Sequence, residues 1–216
     1  MKVAPSIIAA DFSQLSKELK KIEAGKADLL HLDVMDGVFV PNMTFGPMIV
    51  EAIDALTNLE LDTHLMIMNP EKYLKQFIDA GSNWISLHAE ATEQIDGCLA
   101  FVKERDIKVG LAISPPTPFD DVKKYIEELD YFLIMSVHPG FYGQKFMHES
   151  LRKIEETKNW IVKHKLNCMI QVDGGINREN VTLVKQAGAD IVVAGAAVFK
   201  SSDYKRVIED LRCSKG

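Results

Sequence analysis

Short apolar runs alternate with longer stretches of mixed polarity from one end of the chain to the other. The apolar runs predict eight strands: Val3–Ala9, Leu29–Val34, Leu59–Met66, Trp84–His88, Lys108–Ile113, Tyr131–Val137, Cys168–Val172 and Ile191–Ala194. The stretches between and after them are amphipathic and predict helices over Phe12–Glu23, Pro47–Leu56, Pro70–Ala80, Gln94–Arg105, Phe119–Glu128, Glu149–Lys165, Arg178–Ala187 and Asp203–Leu211. The strand runs are nearly continuous Leu, Ile and Val, the pattern of parallel strands buried on both faces. Asp11 stands where a helix is capped, and Asn69-Pro70 puts proline at a first helical position. Gly25, Gly81 and Gly188 follow the ends of predicted helices, where a left-handed residue is expected.

Eight strand–helix units in 216 residues recur about every 27 residues (216/8). That spacing predicts an α/β fold, a single parallel eight-stranded (β/α)8 TIM barrel, forming one catalytic domain over residues 1–216. An open doubly wound sheet would need a glycine-rich turn after its first strand to hold a dinucleotide. Here that turn reads Ala9-Ala10-Asp11.

Composition narrows the function. Hydrophobic residues make up 47% of the chain, enough for one large core. A net charge of -6 argues against general nucleic-acid binding, which needs basic patches. No apolar run approaches a membrane span, and Asp11 interrupts the start too early for a secretion signal. Cys98, Cys168 and Cys213 are scattered and odd in number, which suits a reducing compartment. The protein is therefore expected in the cytoplasm, away from membranes and nucleic acid.

In such a barrel the active site lies at the C-terminal ends of the strands. The second strand ends in His31-Leu32-Asp33, the third in Asp62-Thr63-His64, and the seventh in Gln171-Val172-Asp173. Strand side chains alternate, so His31 and Asp33 share one side. His31, Asp33, His64 and Asp173 are thus expected to converge at the mouth. Two imidazoles and two carboxylates suit one divalent ion such as Zn, Fe, Mn or Co. Three late loops carry glycines: Pro139-Gly140-Phe141-Tyr142-Gly143-Gln144, Gly174-Gly175-Ile176-Asn177 and Gly195-Ala196-Ala197. Glycine lets backbone approach an anion, so these loops are candidates for holding a phosphate.

The blocks HLDVMDGVFVPNMTFGP, THLM, HPGFYGQKF, QVDGGI and VAGAAVF, in that order along nearly the whole chain, resemble the ribulose-phosphate 3-epimerase family. The resemblance implies 3-epimerisation of D-ribulose 5-phosphate to D-xylulose 5-phosphate, a reaction of the pentose phosphate pathway, by a homo-oligomer. It implies His31, Asp33, His64 and Asp173 as metal ligands, with Asp33 and Asp173 also the acid and base. It implies substrate contacts from Ser6, His64, Gly140, Phe141, Tyr142, Gly143, Asp173, Gly174, Gly175, Gly195 and Ala196, with Met35, Met66 and Met135 nearby. Removal of the C3 proton next to the C2 ketone would form an enediolate, stabilised by the metal as a Lewis acid. The second carboxylate would return a proton to the opposite face.

Three departures concern the late loops. Tyr142 stands where the family commonly has glycine, and His138 where Asn or Glu is frequent. The last loop reads Gly-Ala-Ala where Gly-Ser-Ala is common. The same chemistry on allulose 6-phosphate is the nearest alternative reading. A Schiff-base aldolase would need a lysine at a strand's catalytic end, and Lys108 opens its strand at the other end. A non-catalytic phosphosugar-binding barrel would not need the complete acid/base set. His88 is expected to make a structural hydrogen bond or line the cavity, and His148 and His164 to be solvated on helices. Trp84 and Trp160 are expected to pack, and Asp36 to orient the loop behind Asp33 or a ligand.

Overall fold

The computed structural model describes residues 1–213; residues 214–216, the end of the expected domain, lie outside the described residues. Eight strands form one parallel sheet: β1 (Lys2–Ala4), β2 (Leu30–Met35), β3 (Leu61–Met66), β4 (Trp84–His88), β5 (Lys108–Ile113), β6 (Tyr131–Met135), β7 (Met169–Asp173) and β8 (Ile191–Val193). Each strand from β2 to β8 pairs with its neighbours in sequence, and β1 pairs with β8. A parallel bridge between Ser6 and His31, with His31 N–H donating to the Pro5 carbonyl at 3.0 Å, closes the ring between β1 and β2. The architecture is a (β/α)8 barrel.

Around the sheet lie α1 (Leu15–Ala24), α2 (Pro47–Asp54), α3 (Leu74–Asp79), α4 (Ile95–Lys103), α5 (Ser150–His164), α6 (Val181–Ala187), α7 (Ala196–Phe199) and α8 (Tyr204–Cys213). Helix α1 shows why they sit there. Leu15, Leu19 and Ile22 recur at helical spacing and turn toward the sheet, while Lys17, Lys20 and Lys21 stay exposed. Burying side chains such as Leu19 and Ile22 contributes about 2 kcal/mol each. Strand side chains alternate between two environments. On β2, Leu30, Leu32 and Val34 join the core shared with the helices, while His31, Asp33 and Met35 face the barrel interior.

Several expected elements differ in detail. The predicted first strand to Ala9 stops at Ala4, because Pro5 has no N–H to continue the ladder and Ser6 caps a 3-10 turn over Ile7–Ala9. The predicted helix over Phe119–Glu128 is two 3-10 segments, Phe119–Asp121 and Lys123–Glu128. Phe119, Val122, Tyr125 and Ile126 are buried there, so the segment keeps the apolar face expected of a helix while winding more tightly. Gly25 is not left-handed; its φ is -74°, and Lys26 at φ 58° makes that turn. Gly81 and Gly188 are left-handed as expected. Helix α7 has no counterpart among the predicted elements, and His148 falls in a turn beside Phe146 rather than on a helix.

Candidate active site

Strands β2, β3 and β7 carry four ionisable side chains to one end of the barrel. In register, Asp33 lies beside His64, and Asp173 beside Met135. One ligand-type atom from each of His31, Asp33, His64 and Asp173 lies within 4.8 Å of the other three. Asp33 Oδ1 is 3.4 Å from His31 Nε2 and 3.3 Å from His64 Nδ1, which is 3.9 Å from Asp173 Oδ2.

The polarity of this cluster tests whether it fits a cation. His31 Nδ1 is 2.7 Å from Asp62 Oδ2, and an ionised carboxylate can only accept, so Nδ1 carries the proton. Neutral His31 therefore turns the bare Nε2 lone pair toward Asp33, and that buried nitrogen has no hydrogen-bond partner. Lone pairs facing one another in a buried space call for a positive charge between them, so the donor set fits a divalent metal. A proton is the other possible occupant. Burial opposes it, but the Asp62 and Asp33 carboxylates outweigh burial and raise the His31 imidazole well above its ordinary value of 6.5.

The two aspartates sit in opposite environments. When no cation lies between them, burial would raise Asp33, but protonated His31, and then His64 through Nδ1, hold it well below the usual carboxylate range. The Ser6 hydroxyl also donates to Asp33 Oδ2. Asp173 is pushed up, first by burial and then by the charge of Asp33. Burial pulls the His64 imidazole down to about 4.

Above the cluster is a cavity of about 320 Å³. Of the expected substrate residues, Ser6, Gly140, Phe141, Tyr142, Gly143, Asp173, Gly174, Gly175, Gly195 and Ala196 line it, as do Met35, Met66 and Met135. His64 does not; like His31 it is fully buried behind Asp33. The late loops are shaped by backbone that side chains would obstruct. A Cβ on Gly175, at φ 65°, would stand 2.5 Å from the Phe146 nitrogen. Tyr142 is absent from the left-handed positions of its loop, which fall on Gly140 and Gly143, so a tyrosine fits there without backbone strain. Asp36 accepts from the N–H groups of Val38, Phe39 and Met68, as expected of a loop-orienting residue.

Beneath the cluster lies a layer outside the expected site residues. Asp62 is fully buried and accepts from His31, from Tyr131 Oη at 3.1 Å and from Gln171 Nε2 at 2.5 Å. Gly110 is what admits Tyr131, since a Cβ there would meet its ring at 2.5 Å. A signal exists in the chain: Asp62 and His64 are two apart on one strand and so face the same side. His88 is buried and bonded to His64 rather than lining the cavity. Trp84 and Trp160 pack as expected, Trp84 on Tyr131 and Trp160 on Phe119. Lys108 pairs with Asp130 at the opposite end of β5, away from the site.

Fold and site together define a (β/α)8-barrel enzyme with a two-histidine, two-aspartate centre under a glycine-lined rim. Residues 2–199 match the ribulose-phosphate 3 epimerase family. The chain belongs to that family, and so to the isomerases acting on carbohydrates. The ribulose-phosphate 3-epimerase of Bacillus subtilis (strain 168) is 47% identical over 216 residues, covering 100% of both chains. The protein of the same name from Escherichia coli (strain K12) is 39% identical, covering 97% of this chain and 94% of that one. Among solved structures, 3-hexulose-6-phosphate synthase from Salmonella typhimurium superposes with a TM-score of 0.71 at 17% identity, covering 98% of this chain and 96% of that one, a likeness of fold alone. Among the described residues, no helix is long and apolar enough to cross a membrane.

Proposed function

We propose that this chain interconverts D-ribulose 5-phosphate and D-xylulose 5-phosphate by epimerisation at C3, as one catalytic domain with one divalent metal. The observation that carries this reading is the pair of carboxylates, Asp33 and Asp173, brought by β2 and β7 to the floor of one cavity beside His31 and His64. Epimerisation needs one group to take a proton and another to give one on the opposite face. Two carboxylates that face one substrate carbon from different strands are suited to those two parts.

His31, His64, Asp33 and Asp173 would hold the metal, which supplies Lewis-acid stabilisation to charge developing on the C2 oxygen. Asp33, ionised, takes the C3 proton from one face. Asp173, which holds a proton more readily, delivers one to C3 from the other, and the parts reverse in the reverse reaction. Ser6 keeps one Asp33 oxygen oriented toward the cavity. Met35, Met66 and Met135 form an apolar wall that keeps water from the planar enediolate. The Gly140–Gly143, Gly174-Gly175 and Gly195-Ala196 segments hold the phosphate and so fix C3 between the carboxylates. Cys98 and Cys168 are buried free thiols, in keeping with a reducing, cytoplasmic setting.

A coupled assay on ribulose 5-phosphate and on allulose 6-phosphate, before and after chelation and metal restoration, tests the reading. Turnover of the pentose phosphate should exceed that of the hexose phosphate and should fall on chelation. Preference for the hexose phosphate would move the assignment to that substrate; full activity in protein shown by metal analysis to hold no ion would overturn the metal.

A further inference from the structure

The cluster has a hydrogen-bonded chain that runs outward from His64 to the surface. His64 Nε2 is 2.9 Å from His88 Nε2, and His88 Nδ1 is 3.0 Å from Glu90 Oε2. The two rings stack, with centroids 5.0 Å apart, and Phe39 packs on His88 at 4.7 Å. The far oxygen, Glu90 Oε1, accepts from Ser114 N–H at 2.8 Å and from the Thr117 hydroxyl. Lys153 Nζ pins that same loop by donating to the carbonyls of Ser114, Pro115 and Thr117. Although burial would raise it, Glu90 is lowered to about 2 by His88, Thr117 and Ser114. It is therefore an anion that only accepts.

Resting on the metal reading above, we propose that Glu90 is a positioning residue: through His88 it fixes which nitrogen of His64 carries the proton, and so aims the His64 Nδ1 lone pair at the metal. The chain of contacts has only one consistent direction for neutral rings. Glu90 accepts, so His88 Nδ1 carries hydrogen and His88 Nε2 is the acceptor. His64 Nε2 must then donate, which leaves Nδ1 bare and facing Asp33 Oδ1 at 3.3 Å and Asp173 Oδ2 at 3.9 Å. Asp62 does the same for His31 directly, through the opposite ring nitrogen. Each histidine thus has a carboxylate behind it, one in contact and one a ring away.

The alternative is that Glu90 only anchors the 114–117 loop. The two readings part at Glu90→Gln. A glutamine carbonyl can accept from Ser114 N–H and the Thr117 hydroxyl only by turning its NH2 toward His88. That makes His88 Nδ1 an acceptor and His88 Nε2 a donor, which forces His64 to carry its proton on Nδ1, where the metal must bind. Glu90→Ala leaves His88 free to keep either form. Positioning therefore predicts that the near-isosteric Gln is worse than Ala, and anchoring predicts the reverse.

The experiment is titration of chelator-stripped protein with Co²⁺. It reads affinity by chelator competition and the ligand field by the visible d–d bands, with thermal unfolding of the metal-free protein as the check on folding. Glu90→Gln should bind Co²⁺ about 10- to 100-fold more weakly than wild type, with altered bands, and Glu90→Ala should lose less. His88→Phe, which keeps a packed ring but removes the relay, should lose affinity in the same direction and serves if Glu90→Gln does not fold. Wild-type affinity and bands in Glu90→Gln or His88→Phe, or a greater loss in Ala than in Gln, would overturn the relay while leaving the metal site standing. Failure of the wild-type protein itself to bind Co²⁺ would overturn the metal reading and the relay with it.

Discussion

The floor of the cavity and its rim are built in different ways. On the floor, Asp33, His31, His64 and Asp62 stand on strands, are almost wholly buried, and lie against one another. On the rim, Phe141 and Tyr142 stand on a loop and are more than half exposed, at 56% and 52%. The floor is specified by side-chain chemistry, because each group's charge or tautomer depends on its neighbour. The rim is specified by backbone shape, because Gly140, Gly143, Gly174 and Gly175 adopt positive φ angles that other residues rarely take. A substitution on the floor should therefore change chemistry or stability, whereas one on the rim should matter only where it alters the backbone.

The largest effect should come from the floor's proton carriers. Asp33→Asn and Asp173→Asn should each lower kcat by about 10²- to 10⁴-fold, with a smaller change in the affinity for a non-reacting phosphosugar. Near-normal turnover in either would break the two-carboxylate scheme. Next, Asp62→Asn replaces the buried acceptor of His31, Tyr131 and Gln171. It should cost about 3 kcal/mol in urea unfolding, since an unpaired buried partner is left behind. A loss below about 1 kcal/mol would mean that this layer tolerates a neutral amide. On the rim, Gly175→Ala should cost about 2 kcal/mol by the same measurement, through a left-handed φ and the close Phe146 backbone. Smallest of all, Tyr142→Ala should change stability by no more than about 0.5 kcal/mol, because the side chain is exposed and the backbone unstrained. A Tyr142→Ala change as large as that of Gly175→Ala would erase the distinction between a rim held by backbone and a floor held by side chains.

Much of the floor is legible in the amino-acid sequence. The alternation His31-Leu32-Asp33 puts two ligating groups on one face, and near-continuous apolar runs place that strand in a parallel sheet. Asp62 is equally placed by alternation, yet its role stays hidden, because a buried carboxylate has no periodic or motif signal apart from its partners. Glu90 is harder still. It lies just past β4 in a 3-10 turn, and its link to His64 passes through His88 and depends on ring orientation.

By itself, then, the sequence determined the eight-fold strand–helix rhythm and the identity of the four converging groups, because strand periodicity and the barrel's order are local or repeating properties. It also set the family, through blocks spread along the whole chain. The tertiary structure alone decided which nitrogen each histidine turns inward, which aspartate is held ionised, and that Tyr142 fits its loop. Those depend on the relative placement of side chains on different strands and loops, as between Asp62 and His31, His64 and His88 or Asp173 and Asp33, and on the φ angles of single loop residues. No local pattern in the chain encodes either.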